Sequence, residues 1–213
     1  MSTFNKGILG AFSGKTGSVV GATWKGRPVM RSLPAKSSKP KTQAQLDQQE
    51  KFSLAVNLLA GMADLLKTSF KSYTTHVSGF NVAVSYNIQR AITGTTSPFS
   101  LDYSMVQVAL GALPNASAPT ATAVAGNAVK FDWLDNTGTG KALGTDIPVL
   151  VAFCPETGRS VYVMAGGLRS GLTQTLDTGI FAGKTVETWL AFLSADKKQS
   201  SDSVYTGSIT LIP

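Results

Sequence analysis

The chain has 213 residues, 43% hydrophobic and 15% charged, which is ordinary to slightly apolar for a soluble protein and long enough to bury a real core in one domain or two small ones. One cysteine, Cys154, excludes an intrachain disulfide and a cysteine metal cage, and no stretch reaches the roughly 18 apolar residues that a membrane helix needs. A net charge of +7 and a pI near 9.6 point to an acidic partner, or to a basic segment that stays solvated or pairs with acids on a neighbouring copy.

All of the charge imbalance lies in or beside residues 7–41, GILGAFSGKTGSVVGATWKGRPVMRSLPAKSSKPK, and no acid precedes Asp47. Lys15, Lys25, Arg27, Arg31, Lys36, Lys39 and Lys41 are the candidate contacts to phosphates or an acidic partner. Six glycines between Gly7 and Gly26 make a helix costly and extended or turning backbone easy. Ser18–Trp24 and Val29–Ser32 read as the arms of a β-hairpin around Lys25-Gly26-Arg27-Pro28. An isolated hairpin is marginal in water, so this one packs on its own body or adds to the sheet of another subunit. Val19, Val20, Trp24, Val29 and Met30 are its candidate assembly residues. Trp24, next to Lys25 and near Arg27, suits stacking on a base or sugar, or burial against protein. Leu33–Lys41 is a polar, proline-bearing spacer, so residues 1–41 are expected to form a basic arm.

A helical pair is expected over 42–102. Thr42-Gln43-Ala44-Gln45 has the capping-box pattern, and Phe52, Ala55, Leu59, Met62, Leu66 and Phe70 recur at three- and four-residue steps, widened by Val56, Leu58 and Leu65. Gly61 weakens the stripe where another backbone would come close. After the break at Ser72–Ser78, the residues Phe80, Val84, Ile88, Ala91 and Ile92 mark a second helix closed by Gly94, antiparallel to the first. The two apolar faces are too wide to satisfy each other, so the β module or a neighbouring copy must cover the remainder.

Residues 103–213 carry short β-prone runs: Val106–Leu110, Ala121–Val124, Val129–Leu134, Ile147–Phe153, Ser160–Met164, Leu172–Leu176, Val186–Leu193 and Val204–Leu211. Turn-rich pieces separate them, and the spacing argues for a β-sandwich. Trp133 and the Trp189–Phe192 strand would supply its large inner-face residues, an arrangement similar to fibronectin type III or immunoglobulin-like modules. The class is therefore α+β: an N-terminal extended arm with a β-hairpin, an antiparallel helix pair and a C-terminal β-sandwich.

Catalytic patterns fail on spacing and context. Gly10–Thr16, GAFSGKT, has three residues where the phosphate loop needs four before its Gly-Lys pair, and the following Gly-Ser-Val-Val-Gly will not start a helix. Gly183-Lys184-Thr185 lies in a turn before a strand. His76, the only histidine, falls in the polar link between the helices, away from Cys154, which reads as a small buried hydrophobe. Asp132, Asp135, Asp146, Glu156, Asp177 and Glu187 mostly border turns. No catalytic, cofactor-binding or metal-ligating residue is singled out, and no small-molecule substrate is inferred.

The stretches GILGAFSGKTGSVVGATWKGRPVMRSLP, KPKTQAQLDQQEKF, FNVAVSYNIQRAITG and FDWLDNTGTGKA…SVYTGSITL together resemble a Bacteroidota family defined as a domain of unknown function. The resemblance covers essentially the whole length, and the arm and Asn81–Gly94 are its most specific marks. It implies no activity and no cofactor. By architecture alone the chain is similar to structural proteins of phage or phage-like particles. The expectation is a non-enzymatic subunit that forms homo-oligomers through its arm, as a ring, tube, shell or filament such as a virion. The alternatives are a nucleic-acid-associated protein using the arm on phosphates, or an adhesion module using the sandwich loops. MSTFNKGILGAF has neither a continuous apolar core nor a cleavage site, so a chain made in the cytoplasm without a signal peptide is expected, reaching a virion or extracellular particle by lysis or a dedicated route.

Overall fold

A computed structural model describes residues 12–24, 27–35, 39–73 and 77–212, together with the backbone of 3–4. The chain divides into two compact units, 1–42 and 43–213.

The first unit is an antiparallel meander, β1 (Thr3–Phe4), β2 (Phe12–Thr16), β3 (Val19–Trp24) and β4 (Arg27–Ser32), in that order across the sheet. The hairpin expected from the sequence is β3–β4, with Trp24 opposite Arg27 and Val19 opposite Ser32. The arm is thus more than a hairpin: β2 pairs with β3 through the tight Gly17-Ser18 turn, where Gly17 has φ +57°. Gly21 is required by close approach, because a Cβ there would lie 2.2 Å from the Phe12 carbonyl oxygen and 2.8 Å from its ring.

The second unit opens with α1 (Gln43–Leu59), continues through a 3-10 turn at Ala60–Met62 into α2 (Ala63–Ser69), and then α3 (Gly79–Arg90). The helix read as continuous to Phe70 is therefore broken at Gly61, where a Cβ would meet the Ser160 hydroxyl at 2.3 Å. Ser78 caps α3 by accepting a hydrogen bond from the Asn81 amide. Ala55, Leu58, Leu59, Met62, Leu65, Leu66 and Phe70 are buried as the periodicity requires, whereas Phe52 is 53% exposed and lies off the core stripe. Ile92 belongs to a short ladder, β5 (Ile92–Thr93) with β6 (Ser100–Leu101), and not to α3.

The β region comprises β7 (Ser117–Val124), β8 (Ala128–Leu134), β9 (Ile147–Cys154), β10 (Arg159–Val163), β11 (Thr173–Asp177), β12 (Thr185–Leu193) and β13 (Val204–Thr210). They form two antiparallel sheets, ordered β11-β8-β7 and β10-β9-β12-β13. Val129, Phe131, Trp133 and Leu176 of the smaller sheet pack against Leu150, Ala152, Cys154, Leu190 and Phe192 of the larger. The alternate residues of the larger sheet, Val149, Val151, Phe153, Trp189, Ala191 and Leu193, pack against the helices. This order of layers explains the near-continuous burial of β9 and β12, since a strand covered on both faces has no polar side to alternate with. It also supplies the third surface that the helical pair lacks: the larger sheet covers the helices.

Two expectations are corrected. Trp189 faces the helices instead of the sandwich interior, while Trp133 and Phe192 do meet inside it, edge to face, with ring centroids 5.5 Å apart. Val106–Leu110 is not a strand. Its buried backbone is satisfied from outside any ladder: the Gln107 amide donates to Asn87 Oδ1, the Val108 amide to Ser203 Oγ, and the Leu110 amide to the Ser69 carbonyl.

Candidate functional site

Register decides what each side of the N-terminal ribbon presents, because residues directly opposite on antiparallel strands share a face and neighbours along a strand alternate. Lys15 pairs with Val20 and Val20 with Arg31; Ala22 pairs with Val29, and Trp24 with Arg27. One face therefore carries Lys15, Arg27 and Arg31 with Val20, Trp24 and Val29. The other carries Phe12, Val19, Pro28 and Met30 with Gly14, Gly21, Thr16, Thr23 and Ser32, and has no charged group among its described residues.

The seven cationic and five assembly candidates thus fall into place as follows. Lys15, Arg27 and Arg31 gather on one face, together with Val20, Trp24 and Val29. Val19 and Met30 lie on the other. Lys39 and Lys41 are exposed in the spacer before α1, and Lys25 and Lys36 lie outside the described residues. Trp24 is 56% exposed and Met30 73%, so each side offers a large side chain to solvent. Gly14-Lys15-Thr16 is the end of β2, followed by a turn and another strand, which leaves no helix amides to meet a phosphate.

In the body, the chemistry-bearing residues serve other ends. Cys154 is fully buried in β9, and His76 lies outside the described residues. Among the described residues no group of three or more His, Cys, Asp or Glu side chains could hold a metal ion. No helix among them is long and apolar enough to cross a membrane. Asp146 and Glu187, grouped in the sequence with turn-bordering acids, are buried. Asp146 Oδ2 accepts from Arg169 Nε at 3.1 Å, and Glu187 accepts from the Tyr205 hydroxyl at 2.5 Å. Burial first, and then that carboxylate, hold the Tyr205 hydroxyl far above the ordinary phenol range; burial likewise raises Tyr103. An open cavity of about 670 Å³ lies between the β10–β11 loop and Lys197, lined by Ile147, Met164, Leu168 and Thr173. A smaller groove of about 430 Å³ between α1 and α3 is lined by Phe52, Val84 and Ile88.

Sequence reasoning missed the sorting of the ribbon into two faces. The signal was present in the spacing of Arg27, Val29 and Arg31 at every second position; the turn expected around Lys25-Gly26-Arg27-Pro28 is shorter, since Arg27 and Pro28 belong to β4.

No functionally curated protein matches this chain. Among solved structures, a human fibronectin type III domain from the collagen alpha-1(XX) chain is similar at 16% identity, with a TM-score of 0.32, covering 47% of this chain and 87% of that one. The model of a family of unknown function, DUF6266, matches residues 11–207, which takes in both the ribbon and the layered body, and the chain belongs to that family.

Proposed function

We propose that this protein is a non-enzymatic structural subunit that self-assembles through its N-terminal ribbon into a ring, tube, shell or filament, a virion-like particle being one such assembly. The observation that carries the reading is the burial pattern of the first unit: among its described residues only Gly21 is buried. A sheet whose described residues bury a single glycine has no core among them, and covering its apolar side stabilises it. The face bearing Phe12, Val19, Pro28 and Met30 is neutral and suits the same face of another copy, stacked at the usual spacing of about 10 Å between sheets.

Strand addition at the outer edge of β4 is the weaker route, because Pro28 removes a donor and Arg27 and Arg31 repel a like edge. The body is read as a fibronectin III-like sandwich with helices on its larger sheet, a reading that the strand orders β11-β8-β7 and β10-β9-β12-β13 support. Light scattering coupled to size-exclusion chromatography tests assembly. The full chain should elute as an oligomer, and Met30→Glu, which places a charge on the neutral face, should reduce it to monomer. A full chain that is monomeric at high concentration, with an elution behaviour unchanged in Met30→Glu, overturns the reading.

A further inference from the structure

We infer that the opposite, cationic face of the ribbon binds single-stranded nucleic acid. Lys15, Arg27, Arg31 and Trp24 are all exposed and share this face with Val29, and no acid precedes Asp47 in the chain. Arg27 and Arg31 stand four residues apart along β4, about 13 Å at the strand rise, and Lys15 lies two strands over from Arg31, about 10 Å away. The three cations thus outline a triangle on one face of the sheet, with Trp24 directly across the ladder from Arg27.

An acidic polypeptide would be served by the charges alone. An exposed indole set beside a guanidinium adds what a base needs, a π-surface to stack on with a cation at the height of the neighbouring phosphate. A duplex keeps its bases stacked inside and offers none to Trp24, so the single strand is the form that uses every group on the face. With the three cations engaged on phosphates and the base stacked on Trp24, recognition would be tolerant of sequence, and among the described residues this face carries no side-chain amide or carboxylate to read adenine or cytosine edges.

The test uses the full-length protein and fluorescently labelled oligothymidylate, with anisotropy measured across a salt series. Binding should weaken with salt along a log–log slope of about −2, the value for three phosphates neutralised on a single strand. Lys15→Gln, Arg27→Gln and Arg31→Gln should each make the slope shallower by about 0.7. Trp24→Ala should lower affinity on the order of tenfold and leave the slope unchanged. Trp133 and Trp189 are buried, so quenching of exposed indole fluorescence by the oligonucleotide reports Trp24 contact directly.

No binding at low salt, or a slope unaltered by the glutamine variants, overturns the inference. So does equal competition by polyglutamate together with indifference to Trp24→Ala, which would identify an acidic protein as the partner. The assembly reading stands apart from this one: the glutamine variants should keep the oligomer size of the full chain by light scattering, whichever way the binding experiment falls.

Discussion

Arg169 is fully buried, and its chain neighbours give no hint of why. Its guanidinium donates to Asp146 Oδ2 at 3.1 Å, to Asn136 Oδ1 at 2.7 Å and to the Pro114 carbonyl at 3.0 Å, and it lies 3.8 Å from the centre of the Phe192 ring. The Arg169 carbonyl in turn accepts from Trp133 Nε1 at 2.7 Å. Burial lowers the guanidinium from its ordinary value, and Asp146 opposes that shift. One side chain therefore ties three loops to the end of the sandwich core. Removing one partner strands the other charge, so Arg169→Met should cost about 3–5 kcal/mol by denaturant unfolding, and Asp146→Leu added to it should recover part of that loss. Tyr205 makes a different test. A hydroxyl whose folded-state pKa is raised contributes stability that is intact below the unfolded value, about 10, and is lost as pH rises beyond it. The melting temperature of the native chain should fall more steeply above about pH 10 than that of Tyr205→Phe, and curves that stay parallel there would refute the raised affinity of the Tyr205 hydroxyl for its proton.

Helices α2 and α3 approach each other at a point that only glycine permits. A Cβ on Gly79 would stand 2.3 Å from the Leu66 carbonyl oxygen and 3.1 Å from its carbon, both fixed backbone atoms. Gly79→Ala should destabilise the body by about 1–3 kcal/mol, measured from the denaturant midpoint. At Gly61 the obstacle is the Ser160 hydroxyl, a group with no hydrogen-bond partner that can rotate away. Gly61→Ala combined with Ser160→Ala should therefore be neutral or stabilising, because alanine also restricts the unfolded chain and so stabilises by about 0.4–1 kcal/mol where the backbone accepts it. A combined variant less stable than the native chain would place the constraint in the backbone.

Elements of this kind set what could be read beforehand. Seven of the eight β-runs after residue 103 were legible because each alternates or runs apolar between turn residues, and the exception, Val106–Leu110, is apolar for burial yet has its amides claimed by Asn87, Ser203 and Ser69. The side to which Trp189 points was not legible, because β12 is buried on both faces and carries no polar parity to mark either. Arg169 and Glu187 were opaque for a related reason: their partners lie 23 and 18 residues away, and nothing local pairs them.

At the scale of the whole molecule, the two units differ in how they are held. Residues 43–213 have two internal cores, one between the helices and the larger sheet and one between the sheets, and the larger sheet belongs to both. Such a body carries its own folding energy, whereas the described part of the ribbon unit buries only Gly21. Cooperativity should follow that division. A variant lacking residues 1–42 should unfold in a single transition with nearly the midpoint of the full chain, and by far-ultraviolet circular dichroism it should keep both helix and sheet. It should also be a monomer by light scattering and show no salt-dependent retention on single-stranded nucleic acid, because both proposed contact faces leave with the ribbon. A truncated body that melts at a much lower temperature would mean that the ribbon is part of its core. One that stays oligomeric would move the assembly contact onto the body, where the groove beside Phe52 is the first surface to mutate.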